Sequence, residues 1–135
     1  MDVRHRHRIL NLVVGGLLAA AAPAAAQAVP DSLPAGVTAK LVQEGKQLFL
    51  GAGLCMACHG MEAKGGIGPD LTAGKWLHGT GAYPELVARI TSGVPLEESV
   101  SGQMMPPGGG GGLSAAQIKA VAAYVWSLSR RKTPG

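Results

Sequence analysis

The chain has 135 residues, a formal charge of +4 and only 4% aromatic residues. That length suits one small domain, and with one Phe, two Tyr and two Trp the core is thin, as in domains that need a bound metal or cofactor for support. No basic stripe interleaves with aromatic side chains, which excludes a nucleic-acid surface.

Asp2-Val3-Arg4-His5-Arg6-His7-Arg8 precedes an apolar run from Ile9 to Ala22, which Pro23 interrupts before Ala24-Ala25-Ala26. A basic start, a short apolar stretch and small residues behind it mark a cleavable export signal. Residues 1–26 are therefore expected to be removed, with Ala28 as a second cleavage position, and the product to lie in the periplasm. The uncleaved-anchor alternative is weaker, because a spanning helix needs roughly 20 apolar residues and this run has Asn11 inside it. Without the leader, nine basic and seven acidic residues remain, so the high pI belongs largely to the leader.

Residues 27–37, with Pro30, Pro34 and Gly36, read as an extended lead-in to a domain spanning 38–132. Thr38 can cap a helix running to about Leu50, with Leu41, Gly45, Leu48 and Phe49 on one stripe. Gly45 costs about 1 kcal/mol of helix propensity relative to Ala, which points to another helix approaching closely there.

From Gly51 to Gly81 the chain is glycine-rich and aperiodic. Near its start stands Cys55-Met56-Ala57-Cys58-His59, holding both cysteines of the chain. C-x-x-C-H is the attachment signature of a c-type haem: each thiol adds to one vinyl group, and the histidine lies beneath the ring. A disulfide closing so short a loop stabilises little. A thioredoxin-like site needs a strand–helix context that is missing here. Structural zinc wants four ligands, and beyond the leader only His59 and His78 accompany the thiols.

Pro84 suits the first turn of a short helix, Tyr83 to Ser92, with Leu86, Val87 and Ile90 as its apolar face and Gly93 as its stop. Pro95 to Gly112 is loop, ending in Pro106-Pro107 and five glycines. Those glycines read as a linker or, preferably, as backbone turning closely around a bulky group. Ser114 and Gln117 form a capping box for the last helix, and Leu113 can staple to Ile118. Ile118, Val121, Ala122, Val125 and Leu128 make its apolar face, with Tyr124 beside it, and Arg130, Arg131 and Lys132 complement its C-terminal dipole. No strand alternation is present, so the expected class is all-α: three or more helices around one covalently bound haem.

His59 is the expected proximal iron ligand, and its second ring nitrogen needs an acceptor, for which the Pro69 carbonyl is well placed. Of the methionines beyond the leader, Met56 and Met61 lie too near His59 to reach the opposite face of the ring. Met104 and Met105 have chain enough. Met105 is preferred because Pro106 biases it to extended backbone, with Met104 as the alternative and His78 as a rival. Trp76 can donate its indole N–H to a haem propionate or simply pack.

The set Gly45 and Phe49, Cys55-Met56-Ala57-Cys58-His59, Gly68-Pro69-Asp70-Leu71, Met105-Pro106-Pro107 and Tyr124 resembles the class I cytochromes c, single-haem carriers of bacterial periplasms. The resemblance runs from about Val37 to Ser129. It implies thioethers from Cys55 and Cys58, iron bonds from His59 and Met105, and a hydrogen bond from His59 to the Pro69 carbonyl. It also implies that the first and last helices cross at Gly45 and Phe49 against Tyr124. The implied function is single-electron transfer between redox partners docking at the haem edge, with no catalytic residue of its own. The alternative is a haem c subunit, or electron-entry domain, of a larger membrane or periplasmic oxidoreductase complex, with peripheral association at a membrane oxidoreductase.

Overall fold

The computed structural model describes residues 32–131. The expected leader, residues 27–31 of the lead-in and Lys132 lie outside the described residues. Four α-helices follow one another: α1 (Ala39–Leu50), α2 (Cys55–His59), α3 (Tyr83–Ser92) and α4 (Ala115–Ser129). Short 3-10 segments occupy Leu96–Glu98 and Pro107–Gly110. Among the described residues there is no strand, only one antiparallel bridge between Val94 and Met105, and no helix is long and apolar enough to cross a membrane.

The described part of the lead-in differs from the extended reading. Val37 N–H donates to the Pro34 carbonyl at 3.0 Å, closing a turn with Gly36 at φ 77°, and Val37 is buried. Burial of Val37 anchors the chain just before Thr38, whose hydroxyl accepts from Leu41 N–H at 3.1 Å and caps α1.

The buried line on α1 is Val42, Gly45 and Phe49, while Leu41 and Leu48 are only partly buried. The stripe is thus turned from the one expected, because the crossing with α4 is centred on Gly45. A Cβ at Gly45 would lie 1.9 Å from the Ala120 carbonyl oxygen and 3.0 Å from the Tyr124 Cβ. Val42 and Phe49, three before and four after, are the neighbours such a contact must bury. Phe49 meets Tyr124 edge-on at a centroid distance of 5.4 Å.

At the start of α4 both capping-box bonds form: Gln117 N–H to Ser114 Oγ at 3.3 Å and Ser114 N–H to Gln117 Oε1 at 2.9 Å. The helix buries more than one face, since Ala120, Ala123 and Ser127 are covered as well. It lies between α1 and α3, and small residues allow that. The buried Ser127 hydroxyl is satisfied by the Tyr124 carbonyl at 2.7 Å. Arg130 and Arg131 do more than face the helix dipole: their guanidinium groups stand 5.4 Å and 6.0 Å from the ring centres of Trp126 and Tyr124.

α3 buries Leu86 and Ile90, half-buries Val87, and is tied to α4 by Tyr83 OH donating to the Lys119 carbonyl at 3.2 Å. Its N-cap, Ala82, has no capping side chain; the Glu85 carboxylate instead accepts from Thr80 N–H at 2.6 Å and Thr80 Oγ1 at 2.9 Å. The glycine run is no slack linker. A Cβ at Gly111 would lie 2.1 Å from the Ala52 carbonyl oxygen and one at Gly109 2.7 Å from that of Gly53. What it packs against is therefore the backbone that leads into α2.

Candidate functional site

A five-residue helix cannot hold itself together, and α2 does not. Leu54, at its N-cap, is held in the left-handed region at φ 57° and ψ 10°, unusual for a bulky residue. The loop beyond grips the helix carbonyls: Gly60 N–H donates to Met56, Gly65 N–H to His59 and Gly68 N–H to Cys58, each at 2.9 Å. Within one helical turn Cys55 and Cys58 share a face, and His59 stands one turn beyond Cys55. All three border one cleft. No disulfide joins the thiols. Burial pushes the Cys55 thiol up, against a smaller lowering by a backbone hydrogen bond at Cys55 itself and with Cys58 adding to the rise. Its Sγ–H donates to the Gly53 carbonyl at 3.4 Å, which also favours the neutral thiol. That is the opposite of an exchange-active, thiolate-bearing site.

The imidazole of His59 is fixed from three sides. Its Nδ1–H donates to the Pro69 carbonyl at 2.9 Å, so Nε2 keeps its lone pair. Gly68 lies against the ring, where a Cβ would come within 2.8 Å of Cε1 and 2.9 Å of Nδ1. Phe49 packs beside it at 6.5 Å between centroids. Burial lowers the pKa of His59, against the opposing pull of the Pro69 carbonyl, and keeps the ring neutral. In the sequence, only its place beside Pro69 signals this role of Gly68.

The same cleft is bordered by Met104 and Met105, by Pro69, and by Trp76 and His78. Met105 is half-buried and its backbone is held by the bridge to Val94, whereas Met104 is 56% exposed. Trp76 and His78 are each half-buried. The Trp76 indole packs on Gly81, where a Cβ would fall 1.8 Å from Nε1, and among the described residues no protein acceptor takes its N–H. Leu86, Ile90, Val121 and Val125 supply the apolar walls. Seven large hydrophobic side chains of the described residues are exposed, and five of them, Leu54, Ile67, Leu77, Val100 and Met104, border this cleft. Such a concentration is the surface that a flat, apolar group would cover.

The donor set therefore fits a haem: two thiols, one neutral imidazole with a bare Nε2, and a thioether, in an apolar slot. It does not fit zinc. Among the described residues no three His, Cys, Asp or Glu side chains are grouped to hold a metal ion. An all-α shell around an apolar slot, with C-x-x-C-H on one wall and methionine on another, defines the small haem-c proteins.

Comparison with known families matches residues 42–129 to the family described as Cytochrome c. The chain is 41% identical over 93 residues to the Cbb3-type cytochrome c oxidase subunit CcoP of Rhodobacter capsulatus, covering 62% of this chain and 28% of that one. It is 39% identical over 102 residues to the CcoP of Rubrivivax gelatinosus, covering 73% and 30%. It is also 39% identical over 79 residues to the subunit FixP of Rhizobium etli, covering 56% and 26%. The chain thus spans less than a third of the length of these relatives. No solved structure matched. The chain belongs to the class I cytochrome c family. Its cofactor is haem c, covalently attached, with iron.

Proposed function

We propose that the protein transfers single electrons, with Cys55 and Cys58 forming the haem thioethers and His59 and Met105 bonding the iron from opposite sides. The observation that carries this reading is the cleft itself, bordered by the one-turn Cys55–His59 helix and by a bridge-anchored Met105. A haem seated there supplies a one-electron couple, at a higher potential with a His/Met pair than with two histidines.

The chain's own residues do the rest. Pro69 holds the imidazole of His59 in the tautomer that offers Nε2. The aliphatic walls from α3 and α4 keep water away and favour the less charged state of the metal. His59 and Met105, which would hold the iron, both stand on anchored backbone, so little in this chain would have to rearrange when the group gains or loses charge. Trp76 borders the cleft with its indole N–H taken by no acceptor among the described residues, which leaves it for a propionate. No catalytic base is assigned.

The resemblance of the relatives, named as subunits of cbb3-type cytochrome c oxidase, supports a second, narrower reading: the domain works as a haem c component beside or within a membrane oxidoreductase. Export with cleavage after residue 26 or 28, and work in the periplasm, complete the proposal. Carbon monoxide titration of the reduced holoprotein at neutral pH tests it. Wild type should be inert and Met105→Ala reactive; strong binding by wild type would assign the domain to ligand chemistry instead. Persistent co-elution with an oxidase in native extracts would decide for the narrower reading over a free carrier.

A further inference from the structure

Helix α3 ends at Gly93, whose backbone stands at φ 73° and ψ −165°, a region closed in practice to residues with a side chain. Gly93 is buried against the methionine segment. A Cβ there would lie 2.2 Å from the Met105 carbonyl oxygen, and 2.9 Å from both the Pro106 carbonyl carbon and the Pro107 nitrogen. The next residue, Val94, exchanges two main-chain hydrogen bonds with Met105, at 2.8 Å and 2.9 Å. The residues between them form an excursion whose two ends meet at the end of α3. Arg89 of α3 adds an ion pair to Glu98 at 3.3 Å, and Ser99 Oγ donates to the Gln103 carbonyl at 2.6 Å. Exposure rises away from that clamp, to 56% at Met104 and 71% at Val100.

We propose that Gly93 is a positioning residue for the sixth iron ligand. By letting the Met105-Pro106 backbone pack directly on the end of α3, it seats Met105 at the cleft and leaves Met104 outside the clamp. Pro106 and Pro107 stiffen the segment, but stiffness alone does not say where it sits; Gly93 and Val94 do. The inference rests on the Met105 reading above and adds the element that enforces it.

The test uses the matured, haem-loaded protein. Gly93→Ala should weaken or abolish the sulfur-to-iron absorption at the red end of the ferric spectrum. It should also raise the rate of carbon monoxide uptake by the reduced form by at least about tenfold, the factor that about 1.4 kcal/mol represents, because this backbone region is all but closed to alanine. Haem content and helicity should be retained. Gly36→Ala is the control: φ is +77° there and nothing lies within 4 Å, so an alanine is strained by its backbone alone, away from the cleft. Gly36→Ala should leave the absorption intact, and equal loss in both variants would overturn the proposal as mere loosening.

If Gly93→Ala keeps the wild-type absorption and carbon monoxide rate while Met105→Ala loses the absorption, the proposal fails and the ligand assignment survives. If Met105→Ala keeps it, both fail. Should Gly93→Ala not accumulate, hydrogen exchange on the wild type decides. Val94 and Met105 amides protected to the level of α3 support the clamp, and exchange as fast as that of Gln103 overturns it.

Discussion

The two sides of the cleft are held by different means. The His59 side is local: Cys55, Cys58 and His59 lie on one five-residue helix, and the Pro69 carbonyl that orients the imidazole lies ten residues on. The Met105 side is tertiary: its position is set by Val94 and Gly93 at the end of another helix, beside a partly exposed loop. A local site can be specified by a short motif. A tertiary one is specified only once the helices have packed, so the same fold can alter its sixth ligand without touching its attachment sequence.

The largest effect should come from breaking the local side. Replacing both thiols, Cys55→Ser with Cys58→Ser, should abolish haem retention under denaturing conditions, measured by the absorbance of the unfolded protein. Folded yield should fall as well, since the aliphatic walls of the cleft would lose their covering group.

A subtler strike on the same side is Gly68→Ala. The added methyl would press on the imidazole at 2.8 Å, and overpacking of this kind typically costs about 1–3 kcal/mol. Thermal unfolding of the holoprotein should register the loss, together with a shifted haem spectrum. An unchanged spectrum would mean that the ring is not held from that face.

The smallest effect should fall on the tertiary side. Arg89→Ala removes an ion pair to Glu98 whose partners are 37% and 53% exposed, and such pairs contribute less than about 1 kcal/mol. Denaturant unfolding should barely move. A large loss would assign the loop to that ion pair rather than to the Gly93 clamp.

Helices α3 and α4 were legible because their ends carry chemistry that acts locally: Pro84 and Gly93 bound one, and Ser114 and Gln117 cap the other. The motif read as part of an aperiodic loop is a short helix, because a single turn shows no periodicity of its own and is held by Gly60, Gly65 and Gly68. Hydrophobic spacing alone puts Leu41 and Leu48 on the α1 stripe in place of the buried Val42, because it does not give the rotation of a helix. That rotation follows from where Gly45 meets Ala120. The bridge between Val94 and Met105 was invisible for the same reason, being a pairing of two residues with no strand around them. The glycine run could be read as close-packing, but its partner, the backbone at Ala52 and Gly53, is a matter of tertiary arrangement.

The most direct test of a covalently held haem at Cys55–His59 is the intact mass of the wild-type protein, matured in a host competent for c-type cytochromes and then denatured. The expected result is the polypeptide plus one haem, with neither cysteine open to alkylation. Two alkylatable thiols, or a cystine with no haem attached, would contradict it.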